Sequence, residues 1–392
     1  MVCVVQKFGG TSVATLERVK NVANIIARSH HQGQSIVAVV SAMAGVTNKF
    51  VGYVKNLNTY EGDPEYDYVV SSGELITAGL VAIALKNLGL KARSYSSWQV
   101  PILTNDNYGH AVIQKVDPTN LQRDMEAGII PVICGFQGVS SESRRITTLG
   151  RGGSDLTAVA IAAAVRADLC EIYSDVDGVY TVDPNLYHEA KRIDEINYYE
   201  MLEMASQGAK ILQEQSVDHA IKENVVIRVA SSFIDNGGTI ISGRTSPKGF
   251  RGLAVTPSLS QIKVFHKGSI ENIQELLKTN YIRAEILEQD DTEKTDIILD
   301  RKKSSIAINL LKKCDFVKSV RQVVSRKSSS RISVIGAFIS SEIADELANV
   351  LKSEKVEVFE SVVNGCRVDL TVASNRLWES IAILHKHCGL EK

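Results

Sequence analysis

The stretch Arg151-Gly152-Gly153-Ser154-Asp155 opens an apolar helix, and Lys7-Phe8-Gly9-Gly10-Thr11-Ser12 follows an apolar strand over residues 2–6. Both are strand-loop-helix junctions rich in glycine and hydroxyl side chains. At such a junction, unpaired backbone N–H groups and the positive end of the helix dipole face the loop. Phosphate or carboxylate oxygens bind well there. One junction carries a lysine and the other an arginine. Together they point to a pocket for two anionic ligands, such as a nucleoside triphosphate and an acidic small molecule.

Around these junctions strands alternate with helices. Residues 16–29 predict a helix with Val19, Val22, Ala23 and Ile26 on one face, and 35–40 a buried strand ending at Ser41. The loop 42–48 enters another helix. Ser71-Ser72-Gly73-Glu74 leads into a helix over 75–88 that ends at Gly89. Strands are expected at 129–134, 169–173 and 225–229, with an Ala-rich helix over 157–165. This alternation over about 240 residues indicates an α/β domain with a mostly parallel central sheet sandwiched by helices. Its glycine loops fall at the carboxyl ends of strands, where open α/β sheets bind ligands.

The texture changes after the turn-rich segment Gly243-Arg244-Thr245-Ser246-Pro247-Lys248-Gly249, which places a boundary near 245–260. Two units follow, at 260–325 and 326–392. Each reads strand, helix, strand, strand, helix, an α+β order of the ferredoxin-like kind. The α/β part is then 1–245.

Composition narrows the function classes. A formal net charge of −1 over 392 residues, with no basic stripe, argues against nucleic acid as a partner. Arg301-Lys302-Lys303 reads as solvated surface. The six cysteines lack C-x-x-C spacing and read as reduced thiols of a cytoplasmic protein. The N-terminus lacks a basic region and reads as a first strand, and the apolar run 158–165 is too short to span a bilayer, so no membrane is expected.

Lys7 precedes Gly9-Gly10 without the Gly-Lys-Ser/Thr of a Walker loop. The backbone can still approach phosphates closely at the two glycines, and Lys7 can reach phosphate oxygens as a point charge. A tight turn beside a solvated lysine is the bland alternative. Arg151 supplies a planar fork suited to a carboxylate. Ser154 is a candidate helix N-cap, and Asp155 sits in the dipole-favoured first turn. Capping alone would not call for Arg-Gly-Gly before them. In Tyr173-Ser174-Asp175-Val176-Asp177-Gly178-Val179-Tyr180-Thr181-Val182-Asp183-Pro184 a strand runs into a carboxylate-rich turn. Its spacing does not fit a calcium loop.

The segments 7–14 (KFGGTSVA), 41–43 (SAM), 147–155 (TTLGRGGSD), 173–180 (YSDVDGVY) and 208–212 (GAKIL), in this order, resemble aspartate kinase, a member of the amino-acid kinase superfamily with C-terminal ACT-like units. The resemblance implies phosphorylation of the L-aspartate side-chain carboxylate to 4-phospho-L-aspartate, a first step toward lysine (by way of diaminopimelate), threonine and methionine. It implies ATP, with Mg²⁺ carried by ATP and no resident metal site. The phosphates would lie on Lys7, Phe8, Gly9, Gly10, Thr11 and Ser12. Adenosine would lie by Ser174, Asp175, Tyr180 and Asp183, with Lys210 nearby. The amino acid would be held by Ser41, Thr47, Glu74, Arg151, Gly152, Gly153 and Ser154, with Glu74 on its ammonium and Arg151 on a carboxylate. Lys7 and Asp155 would be the catalytic pair. Pairing of exposed ACT sheets across two chains would give a homodimer.

Two other readings stay open: a kinase for glutamate, acetylglutamate or a nucleotide, and an inactive amino-acid sensor. The chain also departs from the family pattern. Asn185 stands where an arginine often follows the Asp-Pro, and the loops Phe265-His266-Lys267-Gly268-Ser269 and Gly336-Ala337-Phe338-Ile339-Ser340 lack the usual proline. With the acidic run 288–293, these loops predict weak or unusual feedback control.

Overall fold

The computed structural model describes residues 2–60, 62–209, 211–234, 236–245, 248–267, 269–280, 282–287, 293–323 and 329–391. Lys210, Gly268 and the acidic residues 288–292 lie outside them. The chain divides into two compact units. One comprises 1–179, 192–201 and 211–245; the other comprises 180–191, 202–210 and 246–392. The segments 180–191 and 202–210 thus cluster with the C-terminal part, which the turn signals near 245–260 alone do not reveal.

The first unit is built on an eight-stranded sheet. Across it the strands run Glu195–Asn197, Thr239–Ser242, Ile227–Ser231, Leu169–Ser174, Cys3–Phe8, Ser35–Val40, Ile130–Cys134 and Ala92–Tyr95. All neighbours pair parallel except the antiparallel pair Ile227–Ser231 and Thr239–Ser242. The central strands are continuous buried runs, as a sheet covered on both faces requires. Its helices include α1 (Leu16–His31), α2 (Val46–Asn56), α3 (Pro64–Val70), α4 (Ser72–Asn87), α5 (Thr119–Glu126) and α6 (Gly153–Val165), together with Glu214–Glu223 and the start of Tyr198–Ser206. In α1, Val19, Val22, Ala23, Ile26 and Ala27 recur at helical spacing and are buried. Thr15 caps the amide of Arg18, and Arg28, His30 and His31 lie in the last turn, where the helix dipole favours positive charge. Helix α6 is buried on all sides over most of its length, which its alanines permit.

Several boundaries differ from the sequence reading. The first strand extends through Phe8, so Lys7 is its penultimate residue rather than the first of a loop. Register with Val39 on one side and Ile172 on the other holds it there. Helix α4 begins at Ser72, which places Glu74 in its first turn. A second sheet of four short strands, in the order Ile113–Val116, Ile102–Thr104, Gln137–Ser140, Ile146–Thr148, has no counterpart in the sequence reading. Strands of three or four residues are too short to show a period. Residues 64–87 form two helices, α3 and α4, within which an 18-residue window is apolar enough by length and composition to cross a membrane, with mean hydropathy 1.7. Half of that window is packed inside the unit.

The second unit contains two antiparallel four-stranded sheets, each with two helices. One has the order Ala284–Leu287, Lys294–Asp300, Leu259–His266, Val317–Val323, with helices Ile270–Thr279 and Arg301–Lys312. Arg301-Lys302-Lys303, read as solvated surface, forms the first turn of the latter, capped by Asp300. The other has the order Gly249–Thr256, Ser329–Ala337, Arg367–Ala373, Val358–Asn364, with helices Ser341–Ser353 and Leu377–His387. Its edge strand Gly249–Thr256 comes from the segment read as a boundary, and each half has its own apolar core. Between them lies a charged cluster. Glu203 accepts from Arg283 and Arg367, Arg331 pairs with Glu285, and Arg367 also pairs with Asp369. Burial, and then a hydrogen bond with Glu360, push the Glu285 carboxyl up to about 7.

Candidate active site

The two glycine junctions meet in the first unit. Lys7, 8% exposed, forms an ion pair through Nζ with the carboxylate of Asp155, which is equally buried. Lys7 comes from the end of a central strand and Asp155 from the first turn of α6. An ion pair this buried is strong only while both partners stay in place.

The first loop is tied down by its backbone. The Gly9 amide donates to the Tyr173 carbonyl at 3.1 Å, the Ser12 amide to the Gly9 carbonyl at 2.9 Å, and the Ala44 amide to the Gly10 carbonyl at 3.2 Å. A side chain on Gly10 would stand 3.0 Å from the Ala42 carbonyl oxygen, so the loop approaches the segment after Ser41 closely. Phe8 is fully buried and stacks on Tyr173 at 5.0 Å between ring centroids. It borders the loop only through its backbone, and its carbonyl accepts from the Ser41 amide. Thr11 is exposed, whereas Ser12 is buried and accepts a hydrogen bond from the Ser232 hydroxyl at 2.7 Å. Ser232 in turn donates its amide to the Ser174 carbonyl, and Ser174 donates its hydroxyl to Asp175. The Arg18 guanidinium carbon lies 4.0 Å from the centroid of the Phe233 ring, beside Thr11 and Asp175.

Glu74 is 3% exposed. One carboxylate oxygen accepts from the Ala42 amide at 3.0 Å, and the other has no hydrogen-bond partner among the described residues. Burial pushes this carboxyl up to about 7, against the pull of the Ala42 amide. A buried acceptor with an open lone pair is the complement of a ligand ammonium. Ser41 and Thr47 are half-buried on the segment that supplies the Ala42 amide.

In the second loop Arg151 is exposed. Ser154 is not the N-cap the sequence suggests. Gly152, at φ +75°, holds that position, α6 starts at Gly153, and Ser154 is buried in the first turn. A left-handed residue turns the chain into the helix here, which glycine does without strain. Ser154 instead fills the space beside Gly135, where an added Cβ would lie 2.6 Å from its hydroxyl.

Of the remaining residues named from sequence, Tyr180 and Asp183 belong to the other unit. Asp183 lies in the second unit, where its carboxylate accepts from the backbone and side-chain amides of Asn185, both at 2.9 Å. Tyr180 is in the same unit, and Lys210 is outside the described residues. Conversely, Ser232, Arg18 and Phe233 border the first loop and are not singled out by the sequence. Ser232 carries a weak signal as a hydroxyl just past a buried strand.

The amino acid kinase family model matches residues 2–231. The aspartate kinase of Stutzerimonas stutzeri is 36% identical over 406 residues, covering 98% of this chain and 97% of its own. The aspartokinase of Pseudomonas aeruginosa is also 36% identical, over 407 residues, with the same coverage. The aspartokinase of Rickettsia prowazekii is 47% identical over 248 residues, 62% of this chain and about half (55%) of its own. Among solved structures, E. coli aspartokinase III in complex with aspartate and ADP superposes with a TM-score of 0.79 at 24% identity, covering 98% of this chain and 99% of that one. With a family model over more than half the chain and relatives aligned along nearly all of it, this chain belongs to the aspartokinases of the amino acid kinase family.

Proposed function

We propose that this chain transfers the γ-phosphoryl group of ATP to the side-chain carboxylate of L-aspartate, giving 4-phospho-L-aspartate and ADP. The observation that carries the reading is the buried Lys7–Asp155 pair joining two glycine loops, with the unpartnered oxygen of Glu74 nearby on α4. The names of the full-length relatives support it, as does a fold shared with an enzyme crystallised with aspartate and ADP.

A carboxylate oxygen of aspartate forms the new bond to the γ-phosphorus, and the bond to the β–γ bridging oxygen breaks with its electron pair leaving on ADP. The nucleophile is already ionised at neutral pH, so no side chain needs to remove a proton. Catalysis then consists of positioning and charge neutralisation. Lys7 would neutralise charge on the transferred group, and Asp155 would hold Lys7 in place. Glu74 would take the substrate ammonium and Arg151 a carboxylate, with Ser41, Thr47 and Ser154 completing the contacts. Gly9, Gly10, Thr11 and Ser12 would receive phosphates, and Ser174, Asp175, Tyr180, Asp183 and Lys210 the adenosine. The open glycine loop fits a polyphosphate; Mg²⁺ would arrive with it and neutralise part of its charge.

Residues 1–245 would be the catalytic domain, and 260–325 and 326–392 two ACT-like units through which two chains pair. We place the enzyme in the cytoplasm, at the entry to lysine, threonine and methionine synthesis. A hydroxamate assay with ATP, Mg²⁺ and L-aspartate, alongside L-glutamate and N-acetylglutamate, tests the reading. Turnover with aspartate is expected; turnover with another acceptor alone, or with none, defeats it.

A further inference from the structure

Asp67 is fully buried on α3, and none of the roles assigned above uses it. One carboxylate oxygen accepts from two backbone amides, Thr148 at 2.7 Å and Gly109 at 3.0 Å. The other accepts from the Thr148 hydroxyl at 3.0 Å. The donors come from a turn, at Gly109, and from the end of a strand, at Thr148, both remote in sequence from α3. Three hydrogen bonds on one buried carboxylate form a stiff clamp, because releasing any donor would leave it unsatisfied away from water.

What the clamp holds is specific. Thr148 ends the strand Ile146–Thr148, and only Leu149 and Gly150 separate it from Arg151. The Thr148 carbonyl also accepts from the Ala111 amide, and a side chain on left-handed Gly150 would lie 2.8 Å from the His110 ring. The loop that carries Arg151 is therefore seated on the 109–111 segment that Asp67 grips. On the other side, α3 runs through Ser71 directly into α4, where Glu74 stands in the first turn. The Ser71 carbonyl accepts from the Gln137 side chain at 2.9 Å, which ties that junction to the second sheet. Asp67 thus joins the element bearing Glu74 to the loop bearing Arg151.

Building on the proposed aspartate kinase activity, we infer that Asp67 is a positioning residue that sets the separation between Glu74 and Arg151, and with it the length of the amino-acid acceptor the site accepts. Glu74 takes the ammonium and Arg151 a carboxylate, so their spacing measures the substrate. A misplacement of about 1 Å is enough to lose on the order of 100-fold in reactivity. The loop at Gly9–Ser12 is bonded to Tyr173, Ala44 and Ser232 instead, and none of these bonds is made to Asp67.

The test compares wild type with Asp67→Asn, Asp67→Ser and Asp67→Ala, measuring KM for ATP and for L-aspartate, the ratio of kcat/KM for L-aspartate over L-glutamate, and the far-UV circular dichroism of each variant. Wild type is assayed first: if it does not phosphorylate aspartate, the functional reading fails, independently of Asp67. Given that activity, Asp67→Ser and Asp67→Ala are expected to raise the aspartate KM about 10-fold or more, to leave the ATP KM within about twofold, and to lower the aspartate preference about 10-fold. Asparagine offers one oxygen to both amides and an N–H₂ to the Thr148 hydroxyl, so it should bring the aspartate KM back to within about threefold of wild type. Folded serine or alanine variants with unchanged aspartate KM and preference would overturn the inference. So would a parallel rise in both KM values. If neither variant folds while asparagine does, Asp67 is an element of folding only, and the inference is lost.

Discussion

The two glycine pairs look alike in sequence and are used differently. At Gly9 an added Cβ would meet Lys7 Nζ and the Tyr173 carbonyl at 3.5 Å, ordinary contact distances. At Gly152 the backbone is left-handed, and an added Cβ would fall 1.7 Å from Cγ of Gln213. The next residue, Gly153, would place a Cβ 2.8 Å from Leu149. In the first loop Gly9 leaves ordinary contact room beside the lysine, while Gly10 passes the Ala42 carbonyl closely. The second needs glycine for its own fold, to turn into α6 and to pass Gln213. A glycine-rich loop at a helix start is therefore not evidence of one role.

The largest effect expected on this contrast is at Lys7. Lys7→Ala should lower kcat about 100-fold or more, the usual cost of losing one preorganised charge at the transferred group. Stopped turnover assays on folded protein check it, and wild-type turnover would remove Lys7 from the chemistry. Arg151→Ala should raise the aspartate KM about 30-fold and leave the ATP KM nearly unchanged. That is the low end for truncating a charge pair, as suits an exposed arginine. A rise confined to the ATP KM would assign it to the nucleotide.

The glycines themselves give the direct comparison. Gly152→Ala should destabilise the fold by about 2 kcal/mol or more through backbone strain and overlap. Gly9→Ala should fold normally and raise the ATP KM about 10-fold, since its methyl would stand beside Lys7. Denaturant melts and steady-state kinetics on both variants decide the matter; equal loss of stability would erase the distinction.

Glu74 sharpens it through pH. Burial raises its carboxyl from 4.5 to about 7, so it takes up a proton as pH falls through that value and would lose its hold on the proposed substrate ammonium. The aspartate KM should climb up to about 10-fold per pH unit below 7 and flatten above it. With the folded pKa raised, the folded state binds the proton more readily than the unfolded one. Glu74 therefore adds stability to the unliganded protein as pH falls from about 7 toward 4.5. Glu74→Gln should abolish the KM dependence, and a profile that persists in that variant points to another group. The smallest effect is at the C-terminal units: lysine and threonine, each at millimolar concentration, should inhibit less than about twofold. The loop before Ser341–Ser353 lacks proline and turns at Phe338, an exposed residue with φ +62°. Strong inhibition by either amino acid, removed by changes within 262–300, would overturn this.

Much of the first unit was legible because its signals are local. The apolar face of α1 and the buried runs at 35–40 and 129–134 reappear within a residue or two. The short strands of the second sheet were not legible, because three or four residues carry no period. The charged cluster around Glu203 was invisible for another reason. Arginines and glutamates on separate strands look like surface until the sheets that carry them meet.

What the sequence determined by itself is whatever depends on neighbours along the chain: the alternation of strand and helix, the two glycine junctions, and the residue types able to meet phosphate, ammonium and carboxylate. Backbone propensity and side-chain chemistry act within a few residues, so they can be read there. The tertiary structure alone decided which partners those residues have. It set Lys7 against Asp155, left one oxygen of Glu74 without a partner among the described residues, and buried Asp67 against Gly109 and Thr148. Burial and distance between remote segments set charge, desolvation and reach, and they exist only once the sheet has brought those segments together.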